Sequence, residues 1–370
     1  MPKIRYYISG HGLGHASRSC QIINTLRRRH AEVAVEVVSD AHPWFFEGFL
    51  DGSVPVRARR LDIGVVQRDS LHMDEGATLR AYRQLLAGRE ALLAEEAASL
   101  RAAGVTLVVA DIAPLAFAAA AAAGITGVGV ANFTWDWIYE DLLSRHGGFE
   151  DVLASVRADY GQAAGFLRLP FAGVFPAALP VEDLPLVARR AQRSAEEVRR
   201  YLGVAPEQRL ALISFGGFGL ADFDVSALER LRDWVFVSET APAVPVDNLI
   251  RLVPGALAYP SLVGAADVVV TKPGYGIVSE AIANDTAVLY ASRGEFREQA
   301  LLVEGLRRYA RSRFIDNAKL LSGDWGDDLE ALLREPAPAQ ELPCDGDRVA
   351  ADRLATLARG AAGFSREEVP

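Results

Sequence analysis

At 370 residues the chain exceeds what one hydrophobic core usually serves, so two domains are expected. A formal charge of −9 argues against a nucleic-acid binder, which would carry a basic face. Half of the residues are apolar and 24% are charged, the composition of a globular soluble protein.

The chain opens with IRYYISGHGLGHASRS, an apolar run that ends in glycines and so reads as a strand feeding a tight turn. In the following SRSCQIINTLRRR, residues Ile22, Ile23 and Leu26 have helical spacing. A strand–glycine loop–helix unit leaves backbone N–H groups at the helix N-terminus, which suits an anion or a reacting oxygen. Two of the six histidines, His11 and His15, lie in this loop, and all six (11, 15, 30, 42, 72 and 146) fall in the first half. Any imidazole chemistry therefore comes from the N-terminal domain. The arginine runs at 27–29 and 189–190 read as solvated helix faces, and Cys20 and Cys344 lack metal-ligand spacing. Lys3 and Arg5 sit beside a strand rather than a long apolar core, so no N-terminal signal and a cytoplasmic location are expected.

Further on, LDIGVVQRDSL (61–71) reads as a solvated loop. Residues 112–135 carry no charge, but Pro114 and Gly124 divide them into a helix (115–123) and a strand (125–131). That is a buried βαβ segment rather than a membrane span. Apolar strands alternate with helices throughout: IRYYIS, VAVEVVS, TLVVAD, GVGVAN, LALISFG, WVFVSE, LIRLV, DVVVTK and AVLYAS. This pattern implies α/β architecture with doubly wound parallel sheets. The proline-rich PFAGVFPAALPVEDLP (170–185) interrupts it. Domains are therefore expected at 1–175 and 185–345, with a C-terminal helix and tail at 346–370 that packs back on the first. Ligands of such sheets bind at the carboxyl ends of the strands, and two facing sheets would form a cleft.

The second half has two glycine turns after apolar strands, ISFGGFG (213–219) and DVVVTKPGYGIVSEAIAN (267–284). They should converge at one sheet edge. The second offers helix N–H groups to a diphosphate, with Lys272 adding charge and Glu280 about two helical turns on to accept from ribose hydroxyls. Neither turn has the GKS or GKT ending of a P-loop, so nucleoside triphosphate hydrolysis is not expected.

These elements resemble the GT-B glycosyltransferases. In the plant secondary-product enzymes a His–x–Gly turn precedes a ribose-binding Glu by eight residues. Lys272, Gly274 and Glu280 keep that spacing, with Lys in place of His, and Glu298–Gln299 falls near the acidic–Gln pair that binds the donor sugar. The peptidoglycan N-acetylglucosaminyltransferase family (MurG) is similar in its glycine loop, here Ser214, Phe215, Gly216 and Gly217, and in a first turn ending Gly14–His15. Over nearly the whole chain, YYISGHGLGHASR, LDIGVVQRDSL, NFTWDWIYEDLL, PLVARR, SFGG and KPGYGIVSEAI resemble the glycosyltransferase-like half of the plant L-arabinokinase family. The sugar-kinase half has no counterpart, so arabinokinase activity is not implied.

The resemblance implies a GT-B fold: an N-terminal Rossmann-like acceptor domain and a C-terminal donor domain facing a central cleft. It implies metal-independent transfer of a sugar from a nucleotide diphosphate sugar, UDP-linked, to a hydroxyl of a small acceptor. By resemblance, His15 is the general base and Asp111 orients it, while His11 either shares in catalysis, contacts the diphosphate or hydrogen-bonds within the turn. Donor contacts fall to Ser214, Gly216, Gly217, Lys272, Gly274, Tyr275, Gly276, Glu280, Glu298 and Gln299. Acceptor contacts fall to Gly12, Gly14, Asn132, Trp135 and Asp136. A histidine base favours direct inverting displacement. Structural alternatives stand beside these roles: Asp111 as a helix cap, Trp135 and Trp137 as core, Arg293 and Arg297 as surface partners of Glu295 and Glu298. No cofactor and no metal are expected, since Asp222–Asp224 and Asp345–Asp347 have the Asp-x-Asp letters but end no strand of a nucleotide-binding unit. A UDP-sugar epimerase and a catalytically silent nucleotide-sugar-binding module remain as alternatives.

Overall fold

The structure, a computed structural model, describes residues 1–68, 72–216, 220, 222–240, 244–361 and 363–364. The chain divides into two units: Met1–Val66 with Asp74–Val187 and Pro343–Pro370, and Gln67–Met73 with Ala188–Leu342.

Unit 1 is built on seven strands: β1 (Lys3–Ile8), β2 (Ala34–Ser39), β3 (Val56–Ala58), β4 (Leu107–Asp111), β5 (Thr126–Ala131), β6 (Gly165–Arg168) and β7 (Val181–Asp183). Their spatial order is β3-β2-β1-β4-β5-β6-β7, and every pairing is parallel. Helices cover such a sheet on both faces, so a central strand such as LVVAD is buried along its whole length. The winding direction reverses between β1 and β4, where Ile8 is in register with Asp111. Helix α1 (Gly12–Arg29) leaves that edge directly, and α5 (Pro114–Ala123) starts just after β4 with Pro114 in its first turn and stops at Gly124 in the left-handed region.

The unit runs on past residue 175 through β7 to Val187, and the chain returns to it at the end. Helix α14 (Gly346–Ala358) lies along α1, where Asp347 Oδ2 accepts from Gln21 Nε2 at 2.8 Å and Thr25 Oγ1 at 2.6 Å. Asp352 accepts from Arg29 at 2.9 and 2.8 Å and pairs with His30 Nε2 at 2.7 Å. Arg28 pairs with Asp51. The 27–29 run is a solvated helix face as expected, with Arg28 and Arg29 exposed and forming surface ion pairs. Gly346 holds the entrance to α14, its N–H bonding Leu186 O at 3.1 Å. A Cβ there would lie 2.0 Å from the Pro185 carbonyl oxygen.

Unit 2 holds β8 (Arg209–Ser214), β9 (Trp234–Ser238), β10 (Leu249–Arg251), β11 (Val268–Thr271), β12 (Ala287–Tyr290) and β13 (Ser312–Phe314), in the parallel order β10-β9-β8-β11-β12-β13. Alternate residues feed two cores: Ala211, Ile213, Val268 and Val270 pack with Trp325 on one face, and Leu210, Leu212 and Val269 with Leu262 on the other. The winding reverses between β8 and β11, where Ser214 is in register with Thr271. No helix among the described residues is long and apolar enough to cross a membrane.

Because backbone rather than a flexible side chain meets the added carbon, Gly346→Ala is expected to destabilise the chain by about 1–3 kcal/mol. A lower denaturant midpoint in equilibrium unfolding checks this; an unchanged midpoint would mean α14 is not seated on the 185–186 backbone.

Candidate functional site

In unit 1 the polar residues gather where the winding reverses. His15, Arg18 and Ser19 are spaced i, i+3 and i+4 on α1, so they share one helix face. That face meets the last residue of β4. Asp111 is fully buried and takes Arg18 Nε and Nη2, each at 2.6 Å, Ser19 Oγ at 2.9 Å, and His15 Nδ1 at 2.8 Å. Arg18 also donates to Asn132 Oδ1 at 2.6 Å. Burial alone would raise the Asp111 carboxyl, but the Arg18 charge and the His15 ring outweigh it and hold it well below the usual carboxylate range. Asp111 does not cap α5, whose first turn has no side-chain cap.

Arg18 Nη2 also lies 3.0 Å from His15 Nδ1, and that contact competes with the Asp111 bond for the same nitrogen. Arginine only donates, so an Nδ1 that accepted from it would turn a lone pair toward the carboxylate oxygen at 2.8 Å. Arg18 Nη2 already serves Asp111 Oδ1. The Nδ1–H tautomer, donating to Asp111, is the consistent one, and it leaves the lone pair on Nε2. An imidazole so arranged can accept a proton and have the resulting charge stabilised by the carboxylate behind it.

In unit 2 the corresponding sheet edge carries Ser214 and the Lys272–Gly274 turn. Ser214 ends β8, its hydroxyl bonded to that of Tyr259, and Thr271 Oγ1 donates to Ser214 O at 2.6 Å. Helix α10 (Tyr275–Ala283) starts directly after Gly274 with no side-chain cap and no acidic residue in its first turn. Its leading N–H groups are thus suited to an anion. Glu280, on the same helix, is buried and accepts from Arg189 Nε at 2.6 Å. Arg189 is therefore paired rather than part of a solvated face. Arg293 is buried as well, bonded to Pro273 O at 3.1 Å and Glu298 Oε2 at 3.2 Å, with its guanidinium over Phe296. This corrects the expected surface pairing. Gln299 Oε1 accepts from Arg293 N at 2.6 Å, so Glu298 and Gln299 hold Arg293, which ties the 292–299 segment to the Lys272–Gly274 turn through Pro273 O. Gly217 lies outside the described residues.

No family model matches the chain. The L-arabinokinase of Arabidopsis thaliana is 32% identical over 365 residues, covering 96% of this chain and 34% of that protein. The chain thus spans about a third of the curated relative it matches. Among solved structures, a UDP-glucosyltransferase from Polygonum tinctorium superposes with a TM-score of 0.60 at 14% identity, covering 97% of this chain and 98% of that one. MurG of Acinetobacter baumannii superposes at 0.51 and 13% identity, covering 98% and 96%. The chain has the GT-B fold.

In this GT-B chain the residues expected to contact an acceptor divide in two. Gly12 and Gly14 open α1 at the surface or close to it. Trp135 and Asn132 are fully buried, and Asp136 nearly so, so these three lie behind the histidines rather than facing solvent. Trp135 packs edge-on to His11 at 5.3 Å and near His15 at 6.1 Å, and donates from Nε1 to Asp62 Oδ2 at 2.9 Å. Asp62, expected in a solvated loop, is buried. Burial pushes its carboxyl up to about 6, against the hydrogen bonds from Ser9 and Trp135 that pull it down. Asp62, Arg18 and Ser19 are the residues the sequence reading missed. The i+3 and i+4 spacing from His15 was the available signal for the last two; for Asp62 it was its place in LDIGVVQRDSL, whose polar residues could reach the cleft.

Between about pH 4 and pH 6 the folded chain holds a proton on Asp62 that the unfolded chain has lost, so this group's contribution falls as pH rises through that window. It amounts to at most about 3 kcal/mol. Asp62→Asn keeps an acceptor for Trp135 and removes the titration. Urea unfolding across that window should show the variant gaining on the wild type as pH rises; parallel curves would show that Asp62 does not titrate there.

Proposed function

We propose that this chain is a metal-independent glycosyltransferase. It moves a sugar from a nucleotide diphosphate sugar, UDP-linked in the first instance, to a hydroxyl of a small acceptor, with inversion, in the cytoplasm. The observation that carries this reading is the buried His15–Asp111 pair, a proton acceptor backed by a carboxylate at a sheet switch point. An alcohol is a poor nucleophile until it loses its proton. His15 Nε2 takes that proton as the acceptor oxygen bonds to the anomeric carbon, and Asp111 stabilises the imidazolium. The anomeric carbon–oxygen bond to the diphosphate breaks, and the nucleotide diphosphate leaves with the electron pair. Its growing charge is met by the α10 N-terminus and Lys272, while Glu280 takes the ribose hydroxyls and Glu298–Gln299 the donor sugar. One displacement at one carbon inverts it.

Support comes from relatives in fold. A Siraitia grosvenorii transferase is known in complex with UDP, and the glycosyltransferase VinC in complex with DTDP. Calorimetric titration with a panel of nucleotide diphosphate sugars tests the reading. One donor should bind; Glu280→Ala should weaken it tenfold or more, the cost of a hydrogen bond to a charged group. His15→Ala should spare binding and slow transfer by about 10²–10⁴-fold. Interconversion of nucleotide sugars without an acceptor would favour an epimerase, a bound but intact donor a silent binding module. A panel in which nothing binds would end the transferase reading.

A further inference from the structure

Two imidazoles stand together in unit 1, their ring centroids 6.2 Å apart. Each has its Nδ1 committed, to partners of opposite kind. His15 Nδ1 is 2.8 Å from a carboxylate oxygen of Asp111, an acceptor. His11 Nδ1 is 3.2 Å from the main-chain N–H of Val65, a donor. A neutral imidazole has one N–H and one lone pair, and a backbone N–H can only donate. His11 must therefore present its lone pair at Nδ1 and carry its hydrogen on Nε2. We infer that the two histidines are held in opposite tautomers, so that His11 is a hydrogen-bond donor to a ligand oxygen and His15 is the sole proton acceptor of the pair. The division of roles rests on the transferase reading above; the tautomers do not.

The segment that imposes this on His11 is fixed at several points. Gly64, at φ +65°, lets the backbone pass close enough to His11 that a Cβ there would lie 2.3 Å from the His11 Cβ. Tyr139 donates its hydroxyl to Gly64 O at 2.8 Å and stacks on Trp135 at 5.8 Å. Trp135 in turn bonds Asp62, which begins the segment. Protonating His11 would set an N–H against the Val65 N–H, so His11 cannot take the acceptor's proton without giving up that bond. His15 can, because its other nitrogen already donates to an ionised carboxylate. The proton of the acceptor hydroxyl thus passes to His15 Nε2, while the His11 Nε2–H stays in place as a fixed donor.

Long-range 1H–15N correlation spectra of the histidine-labelled, ligand-free chain test this, recorded about two units above the ordinary imidazole pKa of about 6.5. His11 should show an unprotonated Nδ1 and a protonated Nε2, and His15 the reverse. The same tautomer in both rings, or a protonated Nδ1 in His11, would overturn the inference. His11→Gln and His15→Gln each remove one ring and assign the signals. Where a variant fails to fold, ring contacts assign them instead, since Phe133 lies 5.7 Å from His15. A second arm follows hydrolysis of UDP-glucose against pH. His15→Gln should abolish the fall in rate at low pH, and His11→Gln should keep it with a loss of no more than about tenfold. Loss of that limb in His11→Gln instead would make His11 the base and overturn the assignment. A chain that binds no nucleotide sugar ends the transferase reading and leaves the tautomers standing; equal tautomers end this inference and leave donor binding untouched.

Discussion

A carboxylate with no solvent around it is costly unless its charge is met, and at the end of β4 it is met by one guanidinium. Arg18 grips both oxygens of Asp111 and uses its remaining amine on Asn132. Helix α1, strand β4 and the Asn132 turn are thereby locked to one another. That lock keeps Asp111 ionised, and an ionised Asp111 fixes the tautomer of His15. Remove the guanidinium and the carboxylate would sooner take up a proton than stay charged, and the imidazole would lose the partner that orients it. The orientation of His15 thus depends on Arg18 as well as on Asp111.

Both units follow one rule of parallel sheets. Where successive strands wind away from each other, the loops that follow diverge and leave room above the strand ends. In unit 1 this point lies between β1 and β4, in unit 2 between β8 and β11. His15 and Asp111 flank the first; Ser214 and the Lys272–Gly274 turn flank the second. The two are furnished differently. Unit 1 offers a proton-accepting pair above its switch point, whereas unit 2 offers backbone N–H groups and a buried Glu280–Arg189 pair.

How much of this could be read in advance follows from the physics of each element. The long central strands were legible because burial on both faces makes them continuous apolar runs. The short strands β3, β6, β7 and β13 were not: at three or four residues each they carry too little pattern to stand out from loops. His15 and Asp111 were legible through resemblance, and Arg18 should have been, since it lies one helical turn beyond His15. Trp135 was placed at an acceptor because aromatics near a strand end suggest a sugar platform, but it is buried beneath the 61–66 segment. That segment looked solvated because it runs into the polar cluster Gln67–Arg68–Asp69–Ser70. Only the tertiary fold shows that Asp62 turns inward to an indole N–H. Arg189 misled for the same reason, since its partner Glu280 lies far along the chain.

The position of α14 sets an order on how the molecule can assemble. Unit 1 is made from the first and the last parts of the chain, while nearly all of unit 2 is one uninterrupted stretch between them. As the chain leaves the ribosome, residues 188–342 can complete their sheet and both of its cores, yet α1 still lacks the helix that lies along it. The face of α1 that carries Gln21, Thr25 and Arg29 stays uncovered until residues 346–358 emerge. The unit begun first is therefore finished last. A chain stopped short of α14 would hold a finished unit 2 and an open unit 1, with the helix that carries His15 missing one of its neighbours.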